Sequence, residues 1–238
     1  MRLDRVSVTG ADNSVSPEDL IHISERFPFV EWAILFSPKK IGDHRFPTRR
    51  WVEDLISKTK DKPLRLAAHL CGKYCRDLAL DANPTWASDF SNVAKYFQRV
   101  QLNFHGHYHR LHSEFLSVLD PNTQYILQHD GANTDSILEL VKRKNIVALY
   151  DTSGGAGKVP KVWIPPIAEY MGYAGGLSPT NVDEKLKEIQ NVYTLNASPS
   201  HYRIWIDAES RLRSEDDSSL DLNSVVQYLR IAKPFVHV

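Results

Sequence analysis

Short apolar runs and longer amphipathic stretches alternate along the chain almost from its first residue to its last. Residues 5–8, 32–36, 64–70, 100–104, 124–128, 146–150, 170–174 and 202–206 are apolar, β-prone and bounded by turn residues, which predicts eight strands. Between them lie segments of helical spacing. Ser16-Pro17-Glu18 combines a capping hydroxyl, a proline at the first helical position and an acid in the first turn, predicting a helix to about Arg26. Further helices are predicted at 48–60, 89–98, 111–119 and 220–232, with an irregular connection over 73–88. Asn133 or Thr134 caps a helix carrying Ile137, Leu138, Leu140 and Val141 on one face, and Ser178-Pro179 opens another with Val182, Leu186 and Ile189 at helical spacing. Eight strands, each followed by a helix or a helix-sized connection in a unit of roughly 30 residues, predict an α/β fold of the closed (β/α)8 TIM-barrel type. An open doubly wound sheet is the alternative, because periodicity does not reveal closure.

Composition narrows the class without naming a chemistry. With 238 residues, 42% of them hydrophobic, the chain can bury one substantial core, so residues 1–238 are expected to form a single domain. Lys+Arg 29 offsets Asp+Glu 29, so no basic field invites nucleic acid and a small molecule is the default partner. The two cysteines, Cys71 and Cys75, form neither a disulfide framework nor a complete zinc site, which fits a reducing compartment. No apolar stretch approaches the ~20 residues that span a bilayer, and residues 1–10 carry charges where a signal peptide needs an apolar run. The expectation is a cytoplasmic protein without membrane contact, monomeric or homodimeric.

Candidate chemistry concentrates in residues 145–182. Two apolar runs there stop at glycine-rich turns, Gly154, Gly155 and Gly157 after the sixth strand and Gly175 and Gly176 after the seventh. Each turn is followed by a segment that can be helical. Such loops let main-chain N–H groups approach an anion that a following helix N-terminus also favours. Asp151 ends the sixth strand, at the carboxyl edge where parallel α/β proteins bind ligands. The plain alternative is a pair of surface turns with Asp151 as a cap.

These residues also carry a family resemblance. Asp151-Thr152-Ser153-Gly154-Gly155-Ala156-Gly157-Lys158 resembles the sixth-strand signature of phosphoribosylanthranilate isomerase, and Ala174-Gly175-Gly176-Leu177-Ser178-Pro179-Thr180-Asn181-Val182 is similar to its seventh-strand signature. Weaker matches are Val8-Thr9-Gly10, Phe36-Ser37-Pro38-Lys39 with Arg45, Gln101-Leu102 with His105-Gly106, and the stretch from Asp207 to Asp221. The resemblance implies a TIM barrel that converts an aminoaldose phosphate to an aminoketose phosphate by an Amadori rearrangement, with no metal or organic cofactor. By position Asp151 is the general acid. The family's base is a cysteine at the end of strand one, where this chain has Thr9. In the last loop the family's Ser-Gly phosphate grip is replaced by Ser210-Arg211, with Arg213 nearby, so arginine forks could hold the anion.

Since a threonine is a poor base, His69 and Cys71, at the end of the third strand, are the candidates to replace it, against a plain reading as a buried thiol and a hydrogen-bonded imidazole. Arg45 is a candidate for a substrate carboxylate, and Asp207 for a ligand contact or a cap. Lys158 stands evenly between a ligand contact and a solvated loop lysine. His105, His107, His109 and His112 cluster without acidic or thiolate partners and are read as solvent-facing, so no metal is expected. The functional expectation is an isomerase of the phosphoribosylanthranilate type on a phosphorylated sugar-like substrate. The alternatives are a diverged phosphosugar isomerase or lyase, or a barrel that binds a phosphate ligand without turnover.

Overall fold

The computed structural model describes residues 1–103, 111, 113–196 and 202–237. Eight parallel strands close on themselves in sequence order, each paired with the next and the eighth with the first. They are β1 (Arg2–Thr9), β2 (Val30–Phe36), β3 (Leu66–Leu70), β4 (Arg99–Leu102), β5 (Gln124–His129), β6 (Ile146–Tyr150), β7 (Tyr170–Ala174) and β8 (Arg203–Ala208). All eight predicted runs are therefore strands, and closure decides for the TIM barrel against the open sheet. No helix among the described residues is long and apolar enough to cross a membrane.

The helical layer follows the sequence pattern in some places and departs from it in others. Helix α1 (Pro17–Arg26) starts as predicted: the Ser16 hydroxyl accepts from Asp19 N at 3.2 Å, and the Asp19 carboxylate accepts from Ser16 N in return. Replacing Ser16 by alanine removes that reciprocal cap. The expected loss is about 1 kcal/mol, read as a lower urea midpoint with an unchanged m-value. Helix α2 (Arg49–Thr59) lies where expected.

The connection over 73–88 is instead largely helical, as α3 (Lys73–Asp81) and α4 (Thr85–Asp89), because Tyr74, Cys75, Leu78 and Ala79 repeat at helical spacing and are buried. The helix predicted over 89–98 is absent. Phe90 O accepts from both Val93 N and Ala94 N, and the apolar spacing of Phe90, Val93 and Phe97 is satisfied by a turn and the 3-10 segment Ala94–Tyr96. Of the helix predicted over 111–119, the described residues contain only the 3-10 turn Phe115–Ser117. Helix α5 (Thr134–Leu140) follows β5, α6 (Val182–Asn196) follows β7, and α7 (Leu222–Ala232) follows β8 with the Asp221 side chain as its cap. Residues 151–169, between β6 and β7, contain turns and no helix. Pro160, Pro165 and Pro166 remove donors there and disfavour helical backbone before them, so the first glycine turn leads into no helix start.

Alternate strand residues point outward into the main core between barrel and helices, with Val6, Val8, Ile34, Leu127 and Ile206 among them. The barrel interior holds a smaller apolar group, including Ile126, Val147, Leu149 and Trp205, beside a polar layer. In that layer the Glu31 carboxylate, 1% exposed, accepts from Ser7, Arg5 and Arg99, each at 2.7 Å. The Arg99 guanidinium stacks on Trp205 with 4.1 Å from its carbon to the ring centre. The polar layer leaves the carboxyl ends of the strands as the place where loops gather.

Candidate functional site

Loop six is built on Asp151, immediately beyond β6. Its carboxylate accepts from Ser153 N at 2.9 Å, Ser153 Oγ at 2.7 Å, Gly155 N at 2.9 Å and Gln128 Nε2 at 3.3 Å. Both oxygens are thus engaged in shaping the loop. Asp151 still lines a small cavity of about 40 Å³ at the carboxyl end of the barrel, together with Gly155, Gly157, Gly175, Gly176 and Asp207.

The second glycine corner lies directly against the first. A methyl group placed on Gly175 would stand 2.7 Å from Lys158 O, and one on Gly176 would stand 2.7 Å from Gly157 O and 2.9 Å from Val159 N. Only residues without a Cβ allow the two backbones to meet this closely. Gly157 in turn faces Ser210 of loop eight, whose Oγ would be 3.3 Å from a methyl group there. Asn181 holds loop seven, accepting from Ser178 N at 2.8 Å and donating to Gly176 O at 3.0 Å. Its helix, α6, begins three residues after Pro179 rather than at it. Ser210 and Arg211 complete the cavity wall, and Arg211 is exposed. Among the described residues, the N–H groups of Gly157, Gly176 and Leu177 on this wall have no intramolecular acceptor. Lys158 is exposed and lines neither this cavity nor its neighbour.

Asp207, in β8, forms the floor. It is 8% exposed, and the Thr9 hydroxyl donates to its Oδ1 at 2.6 Å. Burial pushes this carboxyl up to about 8; the Thr9 bond opposes the shift, while Glu209, Glu31 and Asp151 add to it. Thr9 itself is fully buried and turned toward Asp207, so it does not occupy the position of a base facing ligand.

The other two base candidates are also displaced from that role. His69 is 2% exposed and points into the barrel layer, where burial holds its imidazole down at about 3 despite Glu31. Cys71 borders a wider mouth beside the first cavity, but burial pushes its thiol up to about 11, and Asn103 Nδ2 donates to Sγ at 3.1 Å. A thiol so far above neutrality is a weak nucleophile and base. Cys75 is buried.

Arg45 reaches the same wider mouth, as does Gly154. Its guanidinium is committed to Glu209 and bidentately to Asp217, and its backbone N donates to Asp12 at 2.6 Å with φ at +72°. Arg213, by contrast with the expected anion fork, is enclosed. It donates to Gly10 O at 2.7 Å, Asp12 at 2.9 Å and Asp217 at 2.7 Å, tying loop eight to loop one. Sequence reading passed over Glu209, Asp12, Asn103 and Gln128 in these networks. Only Glu209, two residues beyond Asp207, offered a signal, as a second carboxylate at the end of a strand. The cluster at His105, His107, His109 and His112 lies outside the described residues, and among the described residues no group of three acidic, thiol or imidazole side chains could hold a metal ion.

No protein-family model matches the chain, and neither does any curated protein sequence. Among solved structures it is similar to a truncated form of 3-deoxy-D-arabino-heptulosonate 7-phosphate synthase from Thermotoga maritima, at 12% identity over 98% of this chain and 86% of that one, with a TM-score of 0.54. It is also similar to a GH18 chitinase from Pseudoalteromonas aurantia, at 11% identity over 97% of this chain and 100% of that one, with a TM-score of 0.49. At 12% identity the likeness to the synthase is one of fold, the eight-stranded α/β barrel.

Proposed function

We propose that this chain binds a phosphorylated sugar-like small molecule at the carboxyl end of its barrel. We further propose that it isomerises the molecule by moving a proton between neighbouring carbons, as in the Amadori step of the phosphoribosylanthranilate isomerase type. The observation that carries this reading is the contact of the loop-six and loop-seven glycine corners beside Ser210, over a cavity floored by Asp151 and Asp207. Free main-chain N–H groups and the Arg211 cation suit a phosphate, and carboxyls at the other side of the cavity suit proton transfer.

A second reading, binding without turnover, draws on a specific feature: Asp151 spends both oxygens on its own loop, and Thr9 stands where the resembling family has a thiol.

Thermal unfolding with inorganic phosphate, ribose 5-phosphate and ribose tests the binding step. A ligand at a hundredfold its Kd stabilises by about 2.7 kcal/mol, or several degrees for a chain of this size. The two phosphates are expected to raise Tm and ribose is not; equal shifts for all three would refute a phosphate site. Turnover of phosphoribosylanthranilate, or rescue of a tryptophan auxotroph, then separates isomerase from binding barrel.

A further inference from the structure

Asp207 and Thr9 form a hydrogen-bonded pair at the floor of the cavity, and its geometry is that of a held proton donor. Thr9 donates to Oδ1 and fixes the carboxyl plane, while Oδ2 has no protein partner among the described residues and the side chain lines the cavity. Asp151, the other carboxyl on that cavity, is engaged through both oxygens by Ser153, Gly155 and Gln128. We propose that Asp207 is the catalytic acid and base of the reaction, that Thr9 is its positioning residue, and that Asp151 serves to shape the loop. The assignment rests on the isomerase reading above.

The groups around Asp207 agree with such a role. Glu31 from β2, Asp151 from the end of β6 and Glu209 from its own loop are all acidic, and the Tyr228 phenol of α7 lies close enough to be raised by its charge. With burial, these neighbours keep the carboxyl protonated at neutral pH, as a general acid requires.

In the first step the Oδ2 proton passes to the ring oxygen of the aminoaldose phosphate. The C1–O bond breaks with its electron pair going to that oxygen, and the nitrogen lone pair forms C1=N. The resulting Asp207 carboxylate takes the C2 proton; the C–H pair becomes C1=C2 and the C1=N pair returns to nitrogen. The enol then loses its O2 proton as C1 gains one, giving the ketose. Asp207 ends protonated, as it began, and no oxidant or reductant enters.

Carbon-detected NMR of the labelled full chain tests the pair, with the Asp207 signal assigned by its disappearance in Asp207→Asn. The expected titration midpoint is near 8, against about 3.9 for an ordinary aspartate. Thr9→Val, which removes a donor to the carboxylate, should move it higher, and Thr9→Ser should restore it. In turnover, the pH at which kcat/KM halves should move with that midpoint while KM changes less than twofold. A midpoint near 4, or one indifferent to Thr9→Val, overturns the assignment. Failure of ribose 5-phosphate to bind instead removes the phosphosugar reading, and the NMR midpoint still judges the pair by itself.

Discussion

Replacing Arg99 by methionine is expected to cost this protein about 3–5 kcal/mol of folding stability, the range for breaking a buried ion pair by removing one partner. The Arg99 side chain is 2% exposed and that of Glu31 is 1% exposed, with 2.7 Å between Nη1 and Oε1. Methionine keeps contact with Trp205 but leaves Glu31 to Arg5 and Ser7 alone. Burial on its own would push the Glu31 carboxyl up; Arg99 and Arg5 outweigh it and hold the group at about 2. Because that folded value lies below the unfolded value of about 4.3, the contribution is complete above pH ~5 and disappears as pH falls through 4 toward 2. Without Arg99 the folded value rises, so acid unfolding should begin at a higher pH in the variant. Urea titrations at pH 7 and pH 4 measure both effects. A double variant, Glu31→Leu with Arg99→Met, should recover at least half of the loss, since an apolar pair of similar volume often replaces a buried ion pair without penalty. A single variant within 1 kcal/mol of the parent would show that the interior network is not a stability element.

The barrel was legible in the sequence because its strands are short apolar runs set between turn residues, and tertiary packing had only to close them. The departures have local causes. Residues 90, 93 and 97 repeat at helical spacing, yet a turn and a 3-10 segment bury the same three side chains. The connection over 73–88, irregular by its sequence, carries a helical stretch whose buried face is Tyr74, Cys75, Leu78 and Ala79. At the site, glycine positions are visible in the sequence because close backbone approach admits no other residue. Which carboxyl carries a proton is not visible there. That depends on who donates to whom: the Thr9–Asp207 bond joins residues 198 positions apart, while Asp151 accepts from Ser153 and Gly155 of its own loop and from Gln128 of β5. Arg45 and Arg213 likewise looked like anion ligands until their carboxylate partners, Asp12, Glu209 and Asp217, were in place.

Substituting Gly175 by alanine should separate the two loops and abolish ligand binding, whereas the same change at Gly155 should not. Both backbones have positive φ, +115° and +85°, so each variant carries conformational strain of about 1–2 kcal/mol. The surroundings differ. At Gly155 a methyl group meets nothing within 4 Å, and its N–H bond to Asp151 survives, so strain is the whole effect. At Gly175 the methyl group would stand 2.7 Å from Lys158 O, a main-chain atom that cannot rotate away. Overpacking of this kind adds about 1–3 kcal/mol and is relieved only by moving residues 157–159 off loop seven. Those residues include the Gly157 N–H, one of the donors on the cavity wall, so the anion cradle opens as the strain relaxes. Thermal unfolding of both variants, with and without ribose 5-phosphate, therefore expects a larger intrinsic Tm loss for Gly175→Ala, together with loss of the ligand-induced rise that Gly155→Ala retains. Equal Tm losses would mean that the close approach of the corners contributes nothing to stability. A full ligand response in Gly175→Ala would place the anion away from this pair of loops.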